Sequence, residues 1–298
     1  MTREQPCCDT RRSVAVRRSH KLARAETSVP FGGASLRRRP VLLFVATTIL
    51  VSYGLGVPGL LIAGAWVPGT NGIAKLYLGR FLVVAGPACG AIGTVAVTSG
   101  RGAIGPFLCR RLSLPPNGWA LFLLPIIGVA AAALAYAAAG LPLNVFARAV
   151  GQAWPLLLVH LVLQILIIGL GEELGWRGWL LPTLTARYGL ARATALTALI
   201  WYFWHLPILL GGMADAAWFA LAISGLSILF AILLRWARGS VLASACAHGS
   251  INAPLVFLSA TLPQADHRLA WSYLCGMFMI SGLMALLGTR RWWSNGGC

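Results

Sequence analysis

Residues 153–177 read AWPLLLVHLVLQILIIGLGEELGWR. From Ala153 to Gly171 the stretch carries no formal charge, and then two carboxylates stand side by side at Glu172 and Glu173, with Arg177 four residues further on. An apolar run of about 20 residues covers a hydrocarbon layer about 30 Å thick. A charge inside such a layer costs at least about 2.5–3.5 kcal/mol, so the charges at its end need partners or a function.

Runs of this kind recur along the whole chain. Of its 298 residues 58% are hydrophobic and 10% charged, against about 25% charged in a soluble domain. That deficit excludes a water-facing surface. It predicts an all-α fold, a polytopic transmembrane helix bundle of about eight spans: 41–63, 76–98, 119–140, 153–174, 193–212, 216–235, 240–262 and 269–288. Residues 1–39 are rich in Arg, Ser and Ala without a sustained period, and are expected to form a basic, disordered cytoplasmic tail. The membrane domain is expected over 40–290.

The net charge of +17 suggests nucleic acid at first sight, but its distribution points to a lipid bilayer. Ten of the 24 basic residues lie in the first 39 positions. With the N-terminus inside, 20 basic residues fall in inner segments, Arg177 among them, and four in outer ones: Lys75, Arg80, Arg148 and Arg268. Cytoplasmic loops carry such an excess, so a multi-pass protein of the cell membrane with both termini cytoplasmic and no nucleic-acid partner is expected. Trp66, Trp119, Trp154, Trp218 and Trp271 fall near span ends, where amphipathic rings favour the interface. The seven cysteines are odd in number, widely spaced and without a Cys-x-x-Cys pair, which suggests neither a disulfide framework nor a cysteine zinc site.

Three spans carry polar residues at membrane depth. Arg177 shares a helix face with Glu173, so the two can pair. Glu172 points about 100° away and is left over. In the fifth span Trp201 and His205 lie four apart, and Pro207 follows. In the seventh, His248 and Asn252 again lie four apart. Positions on separate spans converge only in a bundle interior, where ionisable residues mark functional sites. His160, with Gln164 one turn later, reads as a contact between helices.

These motifs resemble those of the CAAX-protease and bacteriocin-processing (CPBP, or Abi) membrane family. Glu172-Glu173-Leu174-Gly175-Trp176-Arg177 fits its Glu-Glu-x-x-x-Arg motif and His248-Gly249-Ser250-Ile251-Asn252 its His-x-x-x-Asn motif. Its Phe-x-x-x-His motif falls on Trp201 to His205, with Trp in place of Phe, a change expected to touch only packing. The resemblance covers about residues 150–260. It implies an intramembrane glutamic endopeptidase acting on membrane-associated or lipidated peptides or proteins, with Glu172, Glu173, Arg177, His205, His248 and Asn252 as site residues.

Peptide hydrolysis needs an activated water, oxyanion stabilisation and a proton for the leaving amine. Glu172 is the expected base, His205 holds or relays the water's proton, and His248 and Asn252 offer donors one turn apart. No cofactor is expected. A zinc protease on Glu172, His205 and His248 is the alternative, although the sequence has no His-Glu-x-x-His helix. A proton-coupled transporter and a non-catalytic immunity or partner-binding protein are the readings from other classes.

Overall fold

The computed structural model describes residues 39–62, 73–205, 210, 212–261 and 263–294. All but Arg39 of the basic tail, together with Trp66 and Pro207, lies outside the described residues.

The described elements are helices α1 (Pro40–Ile49), α2 (Val57–Ile62), α3 (Ile73–Ser99), α4 (Ile104–Arg111), α5 (Leu123–Ala138), α6 (Leu143–Leu163), α7 (Leu170–Gly175), α8 (Leu181–Tyr188), α9 (Leu190–Trp204), α10 (Met213–Trp236), α11 (Leu242–Thr261), α12 (Gln264–Gly288) and α13 (Arg290–Ser294). Lipid offers the backbone no hydrogen bonds, and a helix satisfies its own. Hydroxyls do the same locally: buried Thr94 Oγ1 donates to Gly90 O at 2.7 Å and half-buried Ser224 Oγ to Ala220 O at 2.8 Å.

Six stretches among the described residues are long and apolar enough to cross a membrane: Pro40–Gly59, Gly79–Ser99, Gly118–Ala138, Leu143–Tyr188, Met213–Trp236 and Gln264–Gly288. They make the chain a polytopic helical membrane protein. The two other expected spans, 193–212 and 240–262, are helical over 193–204 and 242–261 but differ in character. Helix α9 is 15 residues long, about 22 Å at 1.5 Å per residue. Helix α11 has 20 residues and carries Ser, His, Asn and Pro. It packs against α5, α6, α7, α10, α12 and the 164–169 stretch, so protein surrounds it and its faces need no apolarity toward lipid.

The fourth apolar stretch continues as helix past the expected span end at 174. It runs 46 residues from Leu143 to Tyr188, about 69 Å along a helix axis and more than twice the hydrocarbon thickness. Ala153 leaves helical geometry (φ −129°, ψ 28°), two residues before Pro155, whose ring and missing N–H break the hydrogen-bond ladder. Two π-helical stretches, Gln164–Gly169 and Trp176–Leu180, then bracket α7, and such widened turns recur at functional sites. Arg177 lies inside this helix and is fully buried, so it leaves the inner-segment count, which becomes 19 basic residues against four.

Close packing sets the layers. Helices α10 and α12 meet where a Cβ on Gly282 would stand 2.7 Å from Gly225 Cα, the close approach that small residues permit in membranes. Around the site, Phe44, Trp176, Trp179, Trp201, Trp204 and Phe230 form one continuous buried cluster.

Candidate active site

Helix α7 presents Glu172 and Glu173 on adjacent faces, and the fold gives each a different set of partners. Glu173 is fully buried. Its Oε1 accepts from Arg177 Nη1 at 2.9 Å, the i,i+4 pair that the spacing predicts, and stands 2.8 Å from His248 Nδ1. Arg177 also points Nη2 at Ser227 Oγ, 3.5 Å away. Its guanidinium lies over two rings, 4.1 Å from the Trp201 centroid and 4.7 Å from that of Phe230. A buried cation is thus held by one carboxylate of its own helix and two aromatic faces from two other helices.

Glu172 is not left over. It is 2% exposed, which places it in the bundle interior rather than at a membrane boundary. Its Oε2 accepts from Trp201 Nε1 at 2.8 Å and from Trp176 Nε1 at 3.4 Å. Trp201 is therefore more than a packing substitute for the family's Phe, because a phenyl ring has no N–H to give. Sequence reasoning passed over this donor, although Trp201 stood in the motif. Trp176 was equally within reach, four residues after Glu172 on one helix.

Trp201 is the hub that joins the two halves. Its ring centroid lies 5.7 Å from both His205 and His248. His205 caps α9 just past its last residue (φ −85°, ψ 34°). Its ring packs edge-on against Trp204 and Phe219, and its Nδ1 stands 2.9 Å from Trp201 O. A carbonyl only accepts, so Nδ1 carries the proton and neutral His205 keeps its lone pair on Nε2. On α11, His248 gives its Nδ1 hydrogen to Glu173, and its Nε2 donates only when the ring holds both protons. The close approach of α11 to the carboxylate helix depends on Gly249, where a Cβ would stand 2.6 Å from Ile165 N. Asn252 is half-buried one turn beyond His248.

The structure thus gathers Glu172, Glu173, Arg177, His205 and His248 around Trp201, with Asn252 on the same helix as His248. His160 makes the expected contact between helices, its Nδ1 standing 2.9 Å from Tyr77 Oη.

Residues 154–254 match the family model described as type II CAAX prenyl endopeptidase Rce1-like. A stretch of 51 residues is 37% identical to the CAAX prenyl protease 2 of Methanococcus maripaludis, covering 17% of this chain and 19% of that protein. The matched part thus spans about a fifth of that relative's length. All six residues of the candidate site fall within the matched residues 154–254, so the similarity to type II CAAX prenyl endopeptidases covers the whole of that site.

Proposed function

We propose that this chain is an intramembrane endopeptidase that hydrolyses membrane-associated or lipidated peptides or proteins with a water activated by Glu172. One observation carries the reading: two adjacent buried carboxylates have separate partners. Glu173 is occupied by Arg177 and His248. Glu172 is held by two neutral indole donors, both on Oε2, which orients its other oxygen toward the water.

The steps balance with these groups. Glu172 Oε1 takes a proton from water, and the hydroxide oxygen attacks the scissile carbonyl carbon. The charge that forms on the carbonyl oxygen is stabilised by donors on α11, the Asn252 amide and His248 Nε2, the latter with the imidazole doubly protonated beside Glu173. As the C–N bond breaks, the leaving amine takes the proton back from Glu172. His205 Nε2, left as an acceptor by the bond from Nδ1 to Trp201 O, holds the water's second hydrogen. Glu173 and Arg177 are positioning residues, because they orient His248 and Trp201.

The zinc alternative would draw on Glu172, His205 and His248. Among the described residues no three His, Cys, Asp or Glu side chains are grouped so that they could hold a metal ion. That arrangement of the side chains supports water activation without a metal. The excess of basic residues in inner segments supports a cell-membrane protein with both termini in the cytoplasm.

The test uses purified wild-type protein and Glu172→Gln in proteoliposomes with a library of membrane peptides, read by mass spectrometry. The proposal expects cleavage by wild type. In the variant it expects a loss of at least about 10²–10⁴-fold with thermal stability retained. Equal cleavage by both proteins, or none by wild type across a library that includes prenylated peptides, would overturn it.

A further inference from the structure

A cavity of about 870 Å³ lies outside the candidate active site and is lined by five arginines: Arg110, Arg111, Arg187, Arg235 and Arg238. The helix ends that meet there are the C-termini of α4, α8 and α10 and the N-terminus of α9. The volume is that of a small-ligand site.

Among the described residues no carboxylate lines this cavity. The described residues contain four acidic side chains in all. Glu172 and Glu173 are engaged in the buried site, and Asp215 pairs with Arg268 at 2.5 Å. Asp266 stands in the first turn of α12, at the opposite end of that helix from the Arg290 and Trp292 end, which meets the cavity. Five guanidinium groups around one hollow repel one another unless an anion is supplied from outside.

The hollow is also built rather than incidental. Arg111 Nη1 donates to Gly239 O at 3.1 Å, and Val241 N donates back to Arg111 O at 2.8 Å. Arg238 (φ 52°) and Gly239 (φ 91°) both take left-handed backbone to make that turn, a strained state for a non-glycine residue. Arg111 Nε is buried with no hydrogen-bond partner among the described residues. Burial, and then the neighbouring Arg110, push the Arg111 guanidinium down to about 10, the mark of a cation short of a counter-charge.

We propose that this cavity binds the phosphate headgroup of an acidic phospholipid. The shared chemistry is a phosphate held by a planar guanidinium fork, which suits bidentate phosphate binding. The lipid is favoured over a soluble phosphate by position and lining. The cavity sits where membrane-crossing helices end, and Leu181, Leu234 and Trp292 line it beside the arginines. Arg235 also lies over the Trp292 ring at 5.2 Å, so the apolar and cationic walls are joined.

The test is native mass spectrometry of the full-length protein, released from detergent after incubation with phosphatidylglycerol or phosphatidylcholine. Wild type should retain one phosphatidylglycerol with at least about tenfold preference. Arg187→Gln, Arg235→Gln and Arg238→Gln combined should remove that preference, since all three side chains are exposed and outside the proposed catalytic machinery. Arg101→Gln, Arg192→Gln and Arg290→Gln combined, equal in charge and outside the cavity lining, should keep it. Equal losses in the two triple variants would mean general attraction to anionic lipid and would overturn the site. Displacement of phosphatidylglycerol by an equal concentration of inorganic phosphate or glycerol phosphate would overturn the assignment to lipid.

Discussion

Removing the Arg177 guanidinium should cost more stability than removing the Glu172 charge, although the two residues lie five positions apart on one helix. Arg177 is fully buried and engages Glu173 at 2.9 Å, with Ser227 at 3.5 Å and the faces of Trp201 and Phe230 nearby. Arg177→Ala leaves the buried Glu173 carboxylate with His248 alone. Breaking a buried pair by deleting one partner costs about 3–5 kcal/mol. At about 2–4 °C per kcal/mol for a chain of this size, Tm should fall by about 6–20 °C. Glu172→Gln leaves an amide oxygen that still accepts both indole N–H groups, so its cost should stay under about 1 kcal/mol. The assay is thermal unfolding in detergent followed by tryptophan fluorescence, to which Trp201 contributes directly. Arg177→Met combined with Glu173→Gln should recover at least half of the loss, since no unpaired charge then remains. Equal Tm values for Arg177→Ala and Glu172→Gln, or strictly additive losses in the double variant, would refute the pairing argument.

Trp201→Phe keeps a ring beside Arg177 but deletes the 2.8 Å donor to Glu172. A hydrogen bond to a charged group contributes about 1.5–3 kcal/mol, so cleavage should fall by about 10–100-fold, and full activity would show that the indole N–H has no part in placing the base. Peptide cleavage should survive strong chelation and should not rise with added zinc. Stoichiometric zinc in elemental analysis of active protein would instead favour the metal alternative. Reporter fusions after residue 39 and after residue 298 should both report the cytoplasm. A C-terminus on the other side would mean an odd number of crossings.

Much of the architecture was legible because lipid imposes a simple rule. Runs of apolar residues long enough to span must be helices, and the membrane class follows from charge depletion alone. The count of spans was less legible. Helix α11 was read as a span from length, yet its polarity is possible because other helices cover it. Glu172, Glu173 and Arg177 look like a water-facing end in the sequence, whereas the helix runs on past 174 and all three are buried, Glu173 and Arg177 by their pairing and Glu172 by two indole donors.

The sequence by itself determined that this chain is a helical membrane protein, that Glu173 and Arg177 share a face, and that Glu172, His205, His248 and Asn252 recur at helical spacing inside apolar runs. These are local properties, set by hydropathy and by the 3.6-residue period. Only the tertiary structure decided that Trp201 bonds Glu172, that His248 rather than a second cation shares Glu173, and that five arginines from three separate segments surround one hollow. The partners in each case are far apart along the chain, 29 positions for Trp201 and Glu172 and 75 for His248 and Glu173. Such contacts depend on how helices pack, at glycines such as Gly249 where two backbones nearly touch, and no periodicity within one helix encodes which neighbour it will meet.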